Sequence, residues 1–205
     1  MKEGDECMRV RAFYGVVLAL LTGPAFAQNV TFDIFGIQIG DTPAVVTDAL
    51  TAKGFAKYRE QRGPSFDEQV AIRREKIDAF TAKGALKEII YTRDADKISI
   101  MFTAWPDGEK VTQVFYRPNI TPEDCPSFKD AAEQKYGKAI KYAGAWIDRP
   151  VEKKKGFGER KSDETISVMV KCSLGDRLID MGLFGAPTML NRMLDKADGE
   201  AIHDF

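Results

Sequence analysis

The sequence predicts an α+β protein in which helices pack on one face of an antiparallel sheet. Three observations lead there. The apolar period switches in blocks, so that helices are followed by a run of strands, then a helix, a second run of strands and a closing helix. Short turn signals separate neighbouring strands, which makes them antiparallel. The two blocks also share a layout of helix start, short helix, glycine stop and three-strand meander. That repetition predicts a tandem α-β-β-β duplication, with repeats at 28–118 and 119–205 forming one compact unit.

The first 27 residues stand apart as a secretory signal peptide. Arg9 and Arg11 precede an apolar stretch from Ala12 to Leu21, Thr22-Gly23-Pro24 breaks it, and Ala25-Phe26-Ala27 supplies the small-x-small pattern cut by signal peptidase. The stretch is short of the about 20 apolar residues a membrane-spanning helix needs. The expectation is therefore a cleaved signal, a mature chain from Gln28, a periplasmic or secreted location and no permanent membrane span. Three acids precede the basic residues, so Met8 competes with Met1 as the start. Cys7 lies ahead of the apolar stretch, where a lipid-modified cysteine would not sit.

In the mature chain, Phe32 to Gly40 is read as a strand leading to a turn. Thr42 then marks an N-cap with Pro43 at the first helical position. Val46, Ala49 and Leu50 share one face of that helix, Gly54 ends it and Phe55 follows as the apolar contact. Arg59 to Pro64 is read as a polar connection. Ser65 and Glu68 have capping-box spacing and open a second helix with Phe66, Val70, Ile77 and Phe80 as its stripe and Gly84 as its stop. Three strands follow, at Leu86–Thr92, Lys97–Ala104 and Lys110–Tyr116. They are joined through Arg93-Asp94-Ala95-Asp96 and Pro106-Asp107-Gly108.

The second block opens at Thr121-Pro122 and Asp124, with Phe128, Ala131, Ala132 and Tyr136 as the inner side of a helix closed by Gly137. Strands are expected at Ala139–Ile147, Thr165–Ser173 and Arg177–Phe184. A last helix runs from about Pro187 to Ala197, with Met189, Leu190, Met193 and Leu194 as its stripe, and 198–205 is read as a frayed tail.

The segment Gly36-Ile37-Gln38-Ile39-Gly40-Asp41-Thr42-Pro43-Ala44-Val45-Val46, followed by Leu50 and Gly54-Phe55, resembles the start of the repeat in β-lactamase-inhibitor-protein-like domains. It also resembles the small outer-membrane-assembly lipoproteins. Thr121-Pro122-Glu123-Asp124, Phe128 and Lys135-Tyr136-Gly137-Lys138 resemble a degenerate second copy. The resemblance covers fold-determining positions. It implies recognition of another protein through a sheet surface and carries no catalytic residue. The chain departs from the lipoproteins in having no cysteine at the cleavage point.

Composition and residue types narrow the function. The chain has 30 Lys and Arg against 31 Asp and Glu, so nothing points to nucleic acid. Cys125 and Cys172 are the cysteines left after signal removal, and in an oxidising compartment they are expected to pair. One histidine, His203, lies near the end, so neither a zinc set nor a serine or cysteine nucleophile with its base is assembled. No cofactor or metal is expected. Gly156-Phe157-Gly158 lacks phosphate-loop spacing. The acid pairs Asp94/Asp96, Glu123/Asp124 and Asp163/Glu164 sit in turns and caps.

The segment 149–161 is the candidate binding element. Lys153, Lys154, Lys155, Phe157 and Arg160 form a basic loop with an aromatic near its tip, able to reach an acidic partner or anionic headgroups. Trp105 and Trp146 are expected in the core, with Trp146 on the same side as Ile140 and Tyr142. The leading expectation is an exported, non-enzymatic protein that binds another protein or an envelope component through its sheet face or this loop. The alternatives are a small-ligand carrier with a groove between helix and sheet and, behind it, an uncharacterised hydrolase.

Overall fold

A computed structural model describes residues 31–142, 144–148, 152–153, 160–161, 165–173 and 175–200. In chain order these form α1 (Pro43–Ala52), β1 (Ala56–Gly63), α2 (Phe66–Arg73), β2 (Ala85–Arg93), β3 (Asp96–Trp105) and β4 (Gly108–Arg117). The second half holds α3 (Cys125–Tyr136), β5 (Ile140–Tyr142), β6 (Ala145–Ile147), β7 (Glu152–Lys153), β8 (Arg160–Lys161), β9 (Ile166–Cys172), β10 (Arg177–Leu183) and α4 (Ala186–Glu200). The fold is α+β. Eight strands make one antiparallel sheet in the order β1-β2-β3-β4-β10-β9-β6-β5, and β7 and β8 pair separately. Strands β1 to β4 run inward from one edge and β5, β6, β9 and β10 from the other. They meet at the antiparallel pair β4–β10.

The helix starts follow local chemistry. Thr42 is extended and Pro43 sits in the first turn of α1, where a missing N–H costs nothing. Gly54 takes φ +79°, and the Phe55 N–H reaches back to the Leu50 carbonyl at 3.0 Å, the glycine-terminated helix end expected from the sequence. At α2 the Ser65 hydroxyl accepts from the Glu68 N–H at 3.2 Å while the Glu68 carboxylate accepts from the Ser65 N–H at 2.8 Å. Asp124 closes the turn before α3 by accepting from both the N–H and the hydroxyl of Thr121.

One face of the sheet carries the core. Ile89 and Tyr91 of β2, Ile98 and Ile100 of β3, Val111 and Val114 of β4, Met181 of β10 and Val168 of β9 are all buried there. They lie beneath Val46 and Leu50 of α1 and Ala132 and Tyr136 of α3. Tyr136 joins the layers, its ring 5.8 Å from Phe32 and 5.7 Å from Trp146. The Cys125–Cys172 disulfide ties the first residue of α3 to the last of β9, with Cα atoms 5.6 Å apart. Closing a loop across 47 positions stabilises the fold by about 4 kcal/mol in the chain-entropy account.

Several expectations need correction. Phe32 to Gly40 is no strand. Ile34 and Ile37 exchange both backbone hydrogen bonds at 3.0 Å around Phe35 and Gly36, both at positive φ, which makes a two-residue hairpin turn. Arg59 to Pro64 is no simple connection, because most of it belongs to edge strand β1, whose residues before Gly63 are all exposed. With neither face buried, the strand shows no apolar alternation to read. The second helix stops at Arg73. Glu75 is left-handed at φ +56°, Ile77 is exposed and Phe80 is 91% exposed.

Gly84 serves that helix in a different way from a stop. Its N–H donates to Glu68 at 2.7 Å, and an added Cβ would lie 2.7 Å from the same carboxylate oxygen and 3.1 Å from Ser65 Cβ. The glycine lets the chain return onto the capping box. Ala139 to Ile147 is two short strands that reverse at Gly144, φ +83°. Each half therefore contributes four strands to the sheet where three were expected. Trp146 pairs with Lys141, so Ile140 does not share its side and is exposed.

Candidate functional site

Strand alternation places the second face of the sheet opposite the core, and register brings its side chains into two rows. The first runs Arg59, Ile90, Ser99, Phe115, Asp180 and Met169 across β1, β2, β3, β4, β10 and β9. The second runs Gln61, Glu88, Met101, Gln113, Gly182, Ser167 and Ile147, ending on β6. At a strand spacing of about 4.8 Å, seven strands give a face about 29 Å wide.

The middle of this face is half-buried, from Ser99 and Met101 through Gln113 and Phe115 to Asp180, Ser167 and Met169. The helices over the core, α1 and α3, lie on the other side. Helix α4 packs against β3 and α2, with Met189 and Met193 beside Trp105 and Thr112, and Ile90 and Ile147 at the outer parts of the two rows are buried. Polar groups on the face are paired with one another. Ser99 Oγ donates to Glu88 Oε1 at 2.5 Å, Gln113 Nε2 donates to Asp180 Oδ1 at 3.1 Å, and the Thr103 and Thr112 hydroxyls lie 3.0 Å apart. Side chains linked across strands lose little further freedom on docking, which lowers the cost of binding there. Met101, Phe115 and Met169 supply apolar surface between these pairs. At Gly182 an added Cβ would stand in ordinary contact with the Gln113 side chain, 3.7 Å away.

The acids singled out in the sequence do structural work where they are described. Asp96 accepts from the Arg93 guanidinium at 2.9 Å, the Tyr116 hydroxyl at 3.1 Å and the Asn119 N–H at 2.8 Å. Burial pushes its carboxyl up, and the three donors with the Arg93 charge outweigh burial and hold it below the usual range. Burial and the neighbouring Asp96 charge push the Tyr116 phenol up to about 12. Donation from Thr121 holds Asp124 low. None of these carboxylates faces another across a cleft, and among the described residues no three His, Cys, Asp or Glu side chains are grouped to hold a metal ion.

The candidate loop 149–161 is described in part. Lys153 pairs with Arg160, and Glu152 with Lys161, in the short ribbon β7–β8. Lys154, Lys155 and Phe157 lie outside the described residues, as do Ala25 and Ala27 at the cleavage point, His203, Gly156-Phe157-Gly158 and Asp163/Glu164. Trp105 and Trp146 are both buried, as expected. Among the described residues the Nε1 of Trp146 has no hydrogen-bond partner. Sequence reasoning named a sheet face as the binding surface without naming its residues. The signal was present in Ser99-Ile100-Met101, where alternation puts Ile100 in the core and its neighbours on the other side.

No protein-family model, no curated protein and no solved structure matches this chain.

Proposed function

We propose that this is an exported, non-enzymatic protein that binds another protein through the face carrying Met101, Gln113, Phe115, Asp180 and Met169. One observation carries the reading. This sheet face is free of α1 and α3, and its apolar side chains alternate with polar pairs already satisfied in the free chain. Mixed apolar and polar surface with few loose side chains suits a reversible protein interface. The mirrored order of the two four-strand halves supports a duplication, and the helix-on-sheet layout supports the resemblance to protein-binding repeat domains.

Export supports the same reading. A disulfide in place and no described helix long and apolar enough to cross a membrane are both compatible with a secreted or periplasmic chain. The basic segment 149–161, of which the ribbon β7–β8 is described, is the second candidate contact element.

The test is affinity capture from periplasmic extract with the wild-type chain, with Met101→Glu plus Met169→Glu, and with a chain lacking 152–160. Near-ultraviolet circular dichroism checks each fold. A partner held by wild type and lost on the double substitution supports the sheet face. A partner lost only with the loop deletion moves the interface to the loop. A partner retained by both overturns the reading.

A further inference from the structure

A second surface lies on the core side, where α3 bridges a gap. The helix is fastened at both ends. Cys125 is bonded to Cys172, and at the other end the Tyr136 hydroxyl donates to the Asp33 carbonyl at 2.7 Å while Lys135 Nζ reaches Asp33 O and Oδ1, each at 2.9 Å. Its middle presents Phe128 and the small Ala131 and Ala132. Beneath them is a cleft of about 560 Å³ between α3, the Ile34–Ile37 turn, the end of α1 and the sheet. That volume is within the about 300–1,000 Å³ of small-molecule sites.

The walls are apolar in effect. Phe35 packs edge-on to Tyr116 at 4.8 Å and beside Phe55 at 5.2 Å, with the Arg93 guanidinium over Phe55 at 4.5 Å. The two phenols of the wall spend their hydroxyls on Asp96 and on the Asp33 carbonyl. Four of the charges around the cleft are also committed, Lys135 to Asp33 and Arg93 to Asp96. Lys53, at the C-terminal end of α1, lines the same cleft, and its ammonium is paired with none of the described residues. A cavity with aromatic walls and one uncommitted cation at its rim is complementary to an apolar body that carries one negative charge.

We infer that the α3 cleft binds a small amphipathic anion, its apolar body against Phe35, Phe128 and Tyr116 and its anionic head at Lys53. The site is separate from the sheet face and does not depend on the protein-binding reading.

The purified protein is titrated with dodecanoate, with dodecyltrimethylammonium as the cationic counterpart, by calorimetry. Ala131→Trp fills the cleft from an exposed helix position, and Lys53→Glu reverses the rim charge. The expected result is saturable one-to-one binding of dodecanoate, at least about tenfold weaker binding of the cationic chain, and about tenfold weakening by Lys53→Glu, a change equivalent to losing and then opposing one exposed charge contact. Ala131→Trp abolishes binding with the near-ultraviolet spectrum retained. If that variant does not fold, Phe128→Ala, which opens the wall, weakens binding in its place. No saturable binding, equal binding of the two chains, or undiminished binding by folded Ala131→Trp overturns the inference.

Discussion

At the residue scale, Asp96 shows how a turn acid becomes a structural post. It holds Arg93 across its own hairpin, the Tyr116 hydroxyl on the next strand and the Asn119 backbone beyond β4. Its carboxyl is held low in the folded chain. Its stabilisation is therefore complete above the ordinary carboxylate value, near about 3.9, and is lost as pH falls through the lowered folded value. Asp96→Asn keeps the shape and removes the charge, and it is expected to cost about 1–2 kcal/mol at neutral pH and much less at acid pH. Urea unfolding at pH 7 and pH 3 checks this. An equal loss at both would contradict the assignment.

Trp146 is a second residue with a measurable consequence. Its ring is buried against Tyr136, and its Nε1 meets no partner among the described residues, a burden of about 1–3 kcal/mol for a buried donor. Trp146→Phe removes that burden along with some packing, so its net cost is expected below about 1.5 kcal/mol, against about 3–5 kcal/mol for Trp146→Ala. Thermal unfolding of the two variants distinguishes the cases.

At the scale of the element, legibility followed burial. α1, α3, β2, β3, β4, β9 and β10 were readable because each has one buried side and marked ends. Thr42-Pro43 and Gly54 bound α1, and Pro106-Asp107-Gly108 joins β3 to β4. β1 was missed because its exposed residues carry no alternation, and β5 and β6 merged because three-residue strands are too short to show a period. Helical spacing assigns Ile77 and Phe80 to α2, yet they lie exposed beyond its end.

The Ser65–Glu68–Gly84 cluster tests the element directly. Gly84→Ala drives a Cβ into the Glu68 carboxylate and pushes it off the Ser65 and Gly84 N–H groups. The expected cost is about 1–2 kcal/mol, read as a lowered urea midpoint. Ser65→Ala is expected to cost about 1 kcal/mol. Because both act on one box, the double variant should cost less than their sum.

At the scale of the whole molecule, the sheet divides the labour. One face buries the core under α1 and α3, and the other carries two registered rows of side chains whose middle is half-buried, with Ile90 and Ile147 buried and α4 packed beside Trp105 and Thr112. The existence of such a face was legible from the helix-and-meander order. Its composition was not, because it depends on long-range register: Phe115 meets Asp180 only when β10, far along the chain, docks on β4. The disulfide acts at this scale too. Reduction should lower stability by about 2–4 kcal/mol and loosen α3 while leaving the β2–β3–β4 meander protected, as amide hydrogen exchange would resolve.

The account's central claim is that the sheet face is the binding surface. A photo-crosslinking amino acid placed in turn at Met101 and Phe115 on that face, and at exposed Val45 on α1 as the control, tests it in the cell that makes the protein. The account predicts one discrete adduct from both sheet positions and none from Val45. Adducts from Val45 alone, or none from either sheet position, would contradict it.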